Sequence, residues 1–172
     1  MDRKPTPFNS DAPLGDRRAI IRRNPDDNQE IELIEAAWGS APRFGASGPN
    51  RFVRSEGRSF PNRRCLIAAS EFQITAGGKR YRVTLIGGDF FYLAGVWETV
   101  MTGCPVGYRI VTVQANREVA RYQDRQGAII LRGQVMQWLD FTVPEVELLA
   151  MPSDRTFRVK QIGAGGQATL PF

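Results

Sequence analysis

The chain has 172 residues, 42% of them hydrophobic and 24% charged, a composition typical of one globular domain. Histidine is absent and only two cysteines are present, which excludes Ser-His-Asp triads, Cys-His dyads and structural zinc centres. The net charge of +5 comes from 20 arginines and 3 lysines against 18 acidic residues.

The longest apolar run, at 90–96, is too short to cross a bilayer, so we expect no membrane partner. No apolar stretch follows the first residues, so the sequence predicts no signal peptide. Two cysteines cannot form a disulfide framework, which favours a reducing compartment. We therefore expect a cytoplasmic bacterial protein or a phage-associated one.

The first third of the chain gives weak structural patterns. Residues 1–28 are polar and contain four prolines, which predicts an irregular N-terminal arm in which only 19–21 resembles a strand. Residues 30–38 have the composition of a helix, but their shortness and the following Gly39 also allow a strand. Residues 42–61 are rich in Gly, Ser, Pro and Arg and predict a long, functional loop.

From residue 64 onward, short apolar and alternating runs predict a series of strands separated by glycine turns. We expect helical turns only at 116–123 and 135–139, so the fold class is α+β, mainly β. A main domain over 29–162 would then precede a flexible tail at 163–172. The predicted strands are 65–69, 72–75, 81–86, 90–97, 108–113, 128–131, 146–151 and 156–161.

The positive charge is concentrated in one segment. Residues 43–64 contain six arginines and only Glu56 as an acid, whereas the ninety residues from 83 onward are balanced. Arginine suits phosphate because its planar guanidinium can donate two parallel hydrogen bonds. The segment therefore favours an anion-facing surface, although a genomic preference for arginine would also explain any single position.

Four short motifs follow the dipeptide Trp38-Gly39 along the chain. They are NRRCLIAA at 62–69, FYLAGVWE at 91–98, IVTVQAN at 110–116 and DRQGAII at 124–130. Together they resemble the SOS response-associated peptidase (SRAP) family, whose last motif reads His-Asp-Arg-Met-Pro. The resemblance implies a bifurcated sheet that forms a pseudo-barrel, with few short helices, around a groove for single-stranded DNA.

In that family, a cysteine directly after the initiator Met attacks abasic sites, and Asn, Glu and His complete the site. Here position 2 is Asp2, while Phe52, Ile74 and Gln123 stand at the positions of the Asn, Glu and His. We expect the chain to begin after the segment that carries the cysteine. The resemblance therefore predicts a pseudoenzyme without catalytic residues, and we expect no cofactor or metal. The apolar run around Cys65 predicts that it is a core residue, and we expect Cys104 to have no function.

The resemblance leaves a set of residues that could bind DNA without reacting. Trp38 could equally belong to the core, Asn116 could cap a helix, and Arg125 could pair with Asp124 or Glu98. The predicted nucleic-acid-binding residues are Trp38, Arg51, Arg54, Arg58, Thr112, Asn116 and Arg125.

Two functions follow from this set. The first is non-covalent binding of single-stranded DNA in a DNA-damage (SOS) context. The alternative is a structural pseudoenzyme that binds a protein partner or its own copies, for example in a phage or mobile element. In that alternative, Phe52 and Ile74 fill the groove.

Overall fold

The computed structural model describes residues 5–39, 51–88, 90–100 and 103–164. Over these ranges the chain forms twelve strands, three short α-helices and a 3-10 turn at Arg132–Gln134, which confirms the mainly-β prediction. The helices are α1 (Arg117–Ala120), α2 (Val135–Asp140) and α3 (Glu145–Leu148). The strands are β1 (Phe8–Asn9), β2 (Arg17–Arg23), β3 (Ile31–Trp38), β4 (Phe52–Arg54), β5 (Arg64–Ala69), β6 (Phe72–Ala76), β7 (Lys79–Leu85), β8 (Phe91–Thr99), β9 (Val106–Gln114), β10 (Arg125–Gly127), β11 (Ile129–Ile130) and β12 (Phe157–Ala164).

The strands form two sheets. The larger sheet has the order β10-β9-β3-β2-β5-β8-β11, and β8 also pairs with β9. This second pairing closes β9, β3, β2, β5 and β8 into a ring, which confirms the predicted pseudo-barrel. The smaller sheet has the order β1-β6-β7-β12. Its β6–β7 hairpin turns at Gly77 and Gly78, which have φ of 58° and 73°, a left-handed conformation that favours glycine.

Three of the ring strands, β5, β8 and β9, bury both faces over most of their length, which explains their nearly continuous apolar runs. On β5, Cys65 and Ile67 belong to a cluster shared with the inner face of the smaller sheet, whereas Leu66 between them belongs to a second cluster. Trp138 and Leu148 of α2 and α3 complete the second cluster. The two clusters hold the ring between the smaller sheet and the helices.

The strand predicted at 19–21 is present and extends over Arg17–Arg23 as β2, so this part of the N-terminal segment is regular and not an irregular arm. This strand lies inside the ring between β3 and β5, and its outward charges are matched because Arg22 lies opposite Glu32. Further upstream, β1 pairs with β6. The Arg18 guanidinium donates hydrogen bonds to the carbonyl oxygens of Pro7 and Ala68 at 2.8 and 2.7 Å, which anchors this segment to the ring.

Other predictions fare unevenly. Residues 31–38 are a strand and 135–140 a helix, but the strand predicted at 146–151 is wrong because this segment contains α3. Strand β12 continues to 164, past the predicted start of the tail, and β4 lies within the predicted loop 42–61. The remainder of that loop before residue 51, and the tail from 165, lie outside the described residues.

A buried arginine ties the helices to the ring. The Arg64 side chain is 4% exposed, and its guanidinium donates to Glu145 Oε1 at 2.6 Å, Phe60 O at 2.8 Å and Trp138 O at 3.1 Å. The guanidinium carbon lies 4.4 and 4.0 Å from the ring centroids of Trp138 and Phe141. Burial lowers the pKa of Arg64, and the contact with Glu145 opposes this shift.

We expect Arg64→Leu to lower the free energy of unfolding by about 3 kcal/mol, because it leaves Glu145 without its cation in a partly buried position. Arg17→Gln is the matched control, since Arg17 pairs with Glu35 on the surface and its loss costs at most about 1 kcal/mol. Urea denaturation measures both values. Equal losses in the two variants would contradict the structural role of Arg64.

Candidate functional site

An open cleft of about 610 Å³ lies where the ring meets the smaller sheet. Strands β1 and β6 contribute one wall, and β4, β9 and β10 contribute the other. The lining residues are Phe8, Ser10, Asp11, Arg51, Phe52, Arg54, Phe72, Gln73, Leu93, Ile110, Thr112, Gln123, Asp124, Arg125, Gln126 and Gly127.

Strand register brings three of the predicted binding residues together. Arg54 on β4 is paired with Thr112 on β9, and β10 lies on the opposite edge of β9 with Gly127 paired to the same threonine. Arg125 reaches back along β10, and its Nη2 donates to Thr112 O at 2.7 Å and to Thr112 Oγ1 at 3.1 Å. The three side chains therefore share one wall of the cleft.

Arg125 is already paired with a carboxylate. Its Nη1 and Nη2 donate to the two carboxylate oxygens of Glu56 at 2.7 and 2.8 Å, a bidentate pair. The expected partners, Asp124 or Glu98, are therefore wrong. These hydrogen bonds from Arg125 lower the pKa of Glu56. The pair neutralises most of the positive charge that Arg125 would present to a ligand.

Two other arginines of the cleft, Arg51 and Arg54, are outside this ion pair. Arg54 is exposed, and neither it nor Arg51 forms an ion pair within the described ranges. Arg51 Nε is buried and has no hydrogen-bond partner there. Both guanidinium groups line the cleft together with the carboxylates of Asp11 and Asp124, so the attraction for an anion is local to Arg51 and Arg54.

The residues predicted to stand at lost catalytic positions divide between the cleft and the core. Phe52 and Gln123 line the cleft, and Phe52 is 43% exposed. Ile74 is 1% exposed and packs in the first cluster, so its side chain is part of the core. A phenyl ring and an amide cannot exchange protons near neutral pH, so these positions offer contacts and no acid-base catalysis.

Three of the predicted binding residues lie away from the open surface of the cleft. Trp38 is 1% exposed, and its ring centroid lies 5.2 to 5.4 Å from those of Phe8, Phe52 and Tyr108, so it is a core residue. Asn116 is fully buried and caps α1, because its Oδ1 accepts from Val119 N at 3.0 Å. Arg58 lines a separate hollow of about 370 Å³.

Several cleft residues escaped the sequence-based prediction. Phe8 and Asp11 were assigned to an irregular arm, yet β1 brings them to the wall opposite Arg54. Gln126 is 1% exposed and its Oε1 accepts from Asn116 N at 3.0 Å. Gln126 aligns with the Met of the family motif, and this difference is the feature of the sequence that indicates a special role for the residue.

The described residues contain no cluster of three or more Cys, Asp or Glu side chains that could hold a metal ion. In the same ranges, no helix is long and apolar enough to span a membrane.

The ring of strands and the smaller sheet define a class of fold that also occurs in solved structures. A protein from Bacteroides thetaiotaomicron is 17% identical, with a TM-score of 0.63 over 86% of this chain and 74% of its own. A phage-related protein from Bordetella bronchiseptica is 19% identical, with a TM-score of 0.67 over 88% and 80%. Another protein from that bacterium is 20% identical, with a TM-score of 0.68 over 92% and 91%.

The sequence profile of the SOS response associated peptidase (SRAP) family matches residues 4–164, so the chain belongs to this family. No curated protein matches the chain. Membership confirms the resemblance drawn from the four motifs and relates the chain to the DNA-damage response.

The two thiols lie in different environments. Cys65 is fully buried, and burial raises the pKa of its thiol, whereas Cys104 is only partly buried, with its Sγ 3.7 Å from Glu35 O. A thiol that is both inaccessible and protonated does not react with electrophiles.

We therefore expect iodoacetamide to modify the native protein at Cys104 alone and to modify both thiols after unfolding, as read by mass spectrometry of tryptic peptides. Cys104→Ser is the control and is expected to remain unmodified until it unfolds. Modification of Cys65 in the native protein would contradict its buried position.

Proposed function

We propose that this SRAP-family domain binds single-stranded DNA non-covalently in the cleft, in a DNA-damage (SOS) related context, as a cytoplasmic bacterial protein or a phage-associated one. The observation that carries the proposal is the Arg54 guanidinium, which lies exposed in an open cleft beside Thr112 with no carboxylate at ion-pair distance in the described ranges. A phosphate oxygen is the natural partner of such a group.

The aromatic contact belongs to Phe52 in this proposal. Trp38 is covered by its neighbours, whereas 43% of Phe52 is exposed at the cleft. Stacking of a base on an aromatic ring contributes about 1–3 kcal/mol and tolerates any sequence. Phe52 would therefore receive a base while Arg54 and Arg51 contact the phosphates on either side.

The binding is proposed to involve no covalent step. The abasic-site chemistry of the family needs a cysteine with a free α-amino group together with Asn, Glu and His. Phe52, Ile74 and Gln123 occupy the last three positions, and the chain contains no histidine. An amide at position 123 cannot donate or accept a proton in the reaction.

The alternative of a structural, partner-binding pseudoenzyme supposes a filled groove. Ile74 lies in the core and Phe52 on the rim, and about 610 Å³ of the cleft remains open. This open volume favours a ligand in the cleft. A protein that binds neither single-stranded DNA nor an abasic oligonucleotide would return the alternative to first place.

We expect Arg54→Gln to weaken binding of a labelled oligo(dT) about tenfold and to reduce the slope of log K against log salt by about 0.7, the value for one phosphate contact. Fluorescence anisotropy across a salt series measures both quantities. Arg17→Gln, which removes the same charge far from the cleft, should leave both nearly unchanged. An affinity independent of salt, or no binding by the wild type, would overturn the proposal.

The same preparation tests the absence of covalent chemistry. Incubation with an oligonucleotide that contains an abasic site is expected to leave no adduct that survives denaturing electrophoresis. A denaturant-resistant adduct would show that another group supplies the nucleophile and would restore a catalytic function.

We expect Glu56→Gln to strengthen oligo(dT) binding several-fold and to increase the salt slope by about 0.7, because it frees the Arg125 guanidinium from its carboxylate. Glu35→Gln removes a carboxylate from an exposed ion pair with Arg17 and is the matched control. Weaker binding by Glu56→Gln would mean that Glu56 holds Arg125 in the orientation that DNA requires.

A further inference from the structure

The outer face of the smaller sheet has a cluster of positive charge that the sequence does not reveal as one segment. Side chains alternate along a strand, so Arg80 and Arg82 of β7 share one face, as do Arg158 and Lys160 of β12. The register pairs Arg82 with Lys160, which places all four cations on the same side of the sheet. Phe157 and Val159 point to the other side and pack on the core.

These charges are poorly compensated. Glu71 lies 3.6 Å from Arg82, whose side chain is 46% exposed. Arg80 donates a hydrogen bond to Gln73 Oε1, a neutral group. In the part of the chain that the structure describes, no ion pair involves Arg80, Arg158 or Lys160.

The pairing of Arg82 with Lys160 opposes two like charges directly across neighbouring strands, which is destabilising. Elsewhere the same fold matches its charges. On β2 and β3, Arg22 lies opposite Glu32 with 2.7 Å between Nε and Oε1. An anion that lies across both strands would reduce the repulsion between the two opposed cations on this exposed face.

This basic face adjoins the cleft. Gln73, which accepts the hydrogen bond from Arg80, is also a lining residue of the cleft. We propose that single-stranded DNA bound in the cleft continues across β7 and β12, an inference that rests on the proposed function. Its phosphates would contact Arg80, Arg82, Arg158 and Lys160. All four side chains end in guanidinium or ammonium groups and none is aromatic. They would therefore contact the DNA backbone and not the bases.

The test compares two oligo(dT) ligands, one of about 6 nucleotides that fits the cleft and one of about 25 that extends beyond it. The variant is Arg82→Gln combined with Lys160→Gln. The control is Arg17→Gln combined with Arg117→Gln, which removes two charges from exposed ion pairs elsewhere on the surface. Anisotropy across a salt series gives the affinity and the salt slope of each protein for each ligand.

For the long oligonucleotide, we expect the Arg82/Lys160 variant to bind about tenfold more weakly, with a salt slope smaller by about 1.4, the value for two phosphates. Its affinity for the short oligonucleotide and both affinities of the control should match the wild type. Thermal unfolding of the variant is measured alongside, because the relief of two opposed cations is offset by the loss of the Arg82 contact with Glu71. A midpoint close to that of the wild type shows that weaker binding does not come from misfolding.

The failures of the two proposals are distinguishable. Unchanged binding of the long oligonucleotide by the Arg82/Lys160 variant, or an equal loss in the control, would overturn the basic face and leave the cleft proposal intact. An equal loss for both ligands would also overturn it, because the face would then act on the cleft itself. A wild type that binds neither ligand would overturn both.

Discussion

Strand β9 is hydrogen-bonded along both of its edges, and most of the molecule depends on this arrangement. One edge pairs first with β3 and then with β4, and the other pairs first with β8 and then with β10. The pairings with β3 and β8 close the ring, while those with β4 and β10 form a wall of the cleft. Thr112 lies at this second set of pairings, so the site and the closure of the ring come from one strand.

Positive charge in the sequence and positive charge on the surface are different quantities in this protein. Arg64 of the arginine-rich segment is paired with Glu145 beneath the helices. Glu56, the acidic residue of the same segment, is paired with Arg125. The charge that remains accessible in the cleft comes from Arg51 and Arg54. The basic face of the smaller sheet gathers its cations from 80–82 and 158–160, which a linear count treats as unrelated.

The sequence predicted elements whose pattern is local. The alternation in 108–113, the two-glycine turn at 77–78 and the cap at Asn116 each specify their structure through neighbouring residues. Apart from the strand predicted at 146–151, where α3 forms, the main failures concern partners that are distant in sequence. The charged strand β2 is central in the sheet because Glu32 lies opposite Arg22. Trp38 is a core residue because β1 places Phe8 against it. Similarly, nothing near Arg125 in the sequence indicates that Glu56 is its carboxylate partner.

The topology also has a consequence for how the chain acquires its structure. The ring closes by pairing Ala37 with Gly107, and the smaller sheet is completed by pairing Leu85 with Phe157. Contacts between such distant residues require large loops to close before they contribute stability, so folding is expected to take milliseconds to seconds. During synthesis on the ribosome, the apolar strand 65–69 therefore emerges before its neighbour β8 and before β9, which closes the ring. Until those strands follow, the apolar side chains of β5 stay exposed, which is the condition that favours aggregation of a nascent chain.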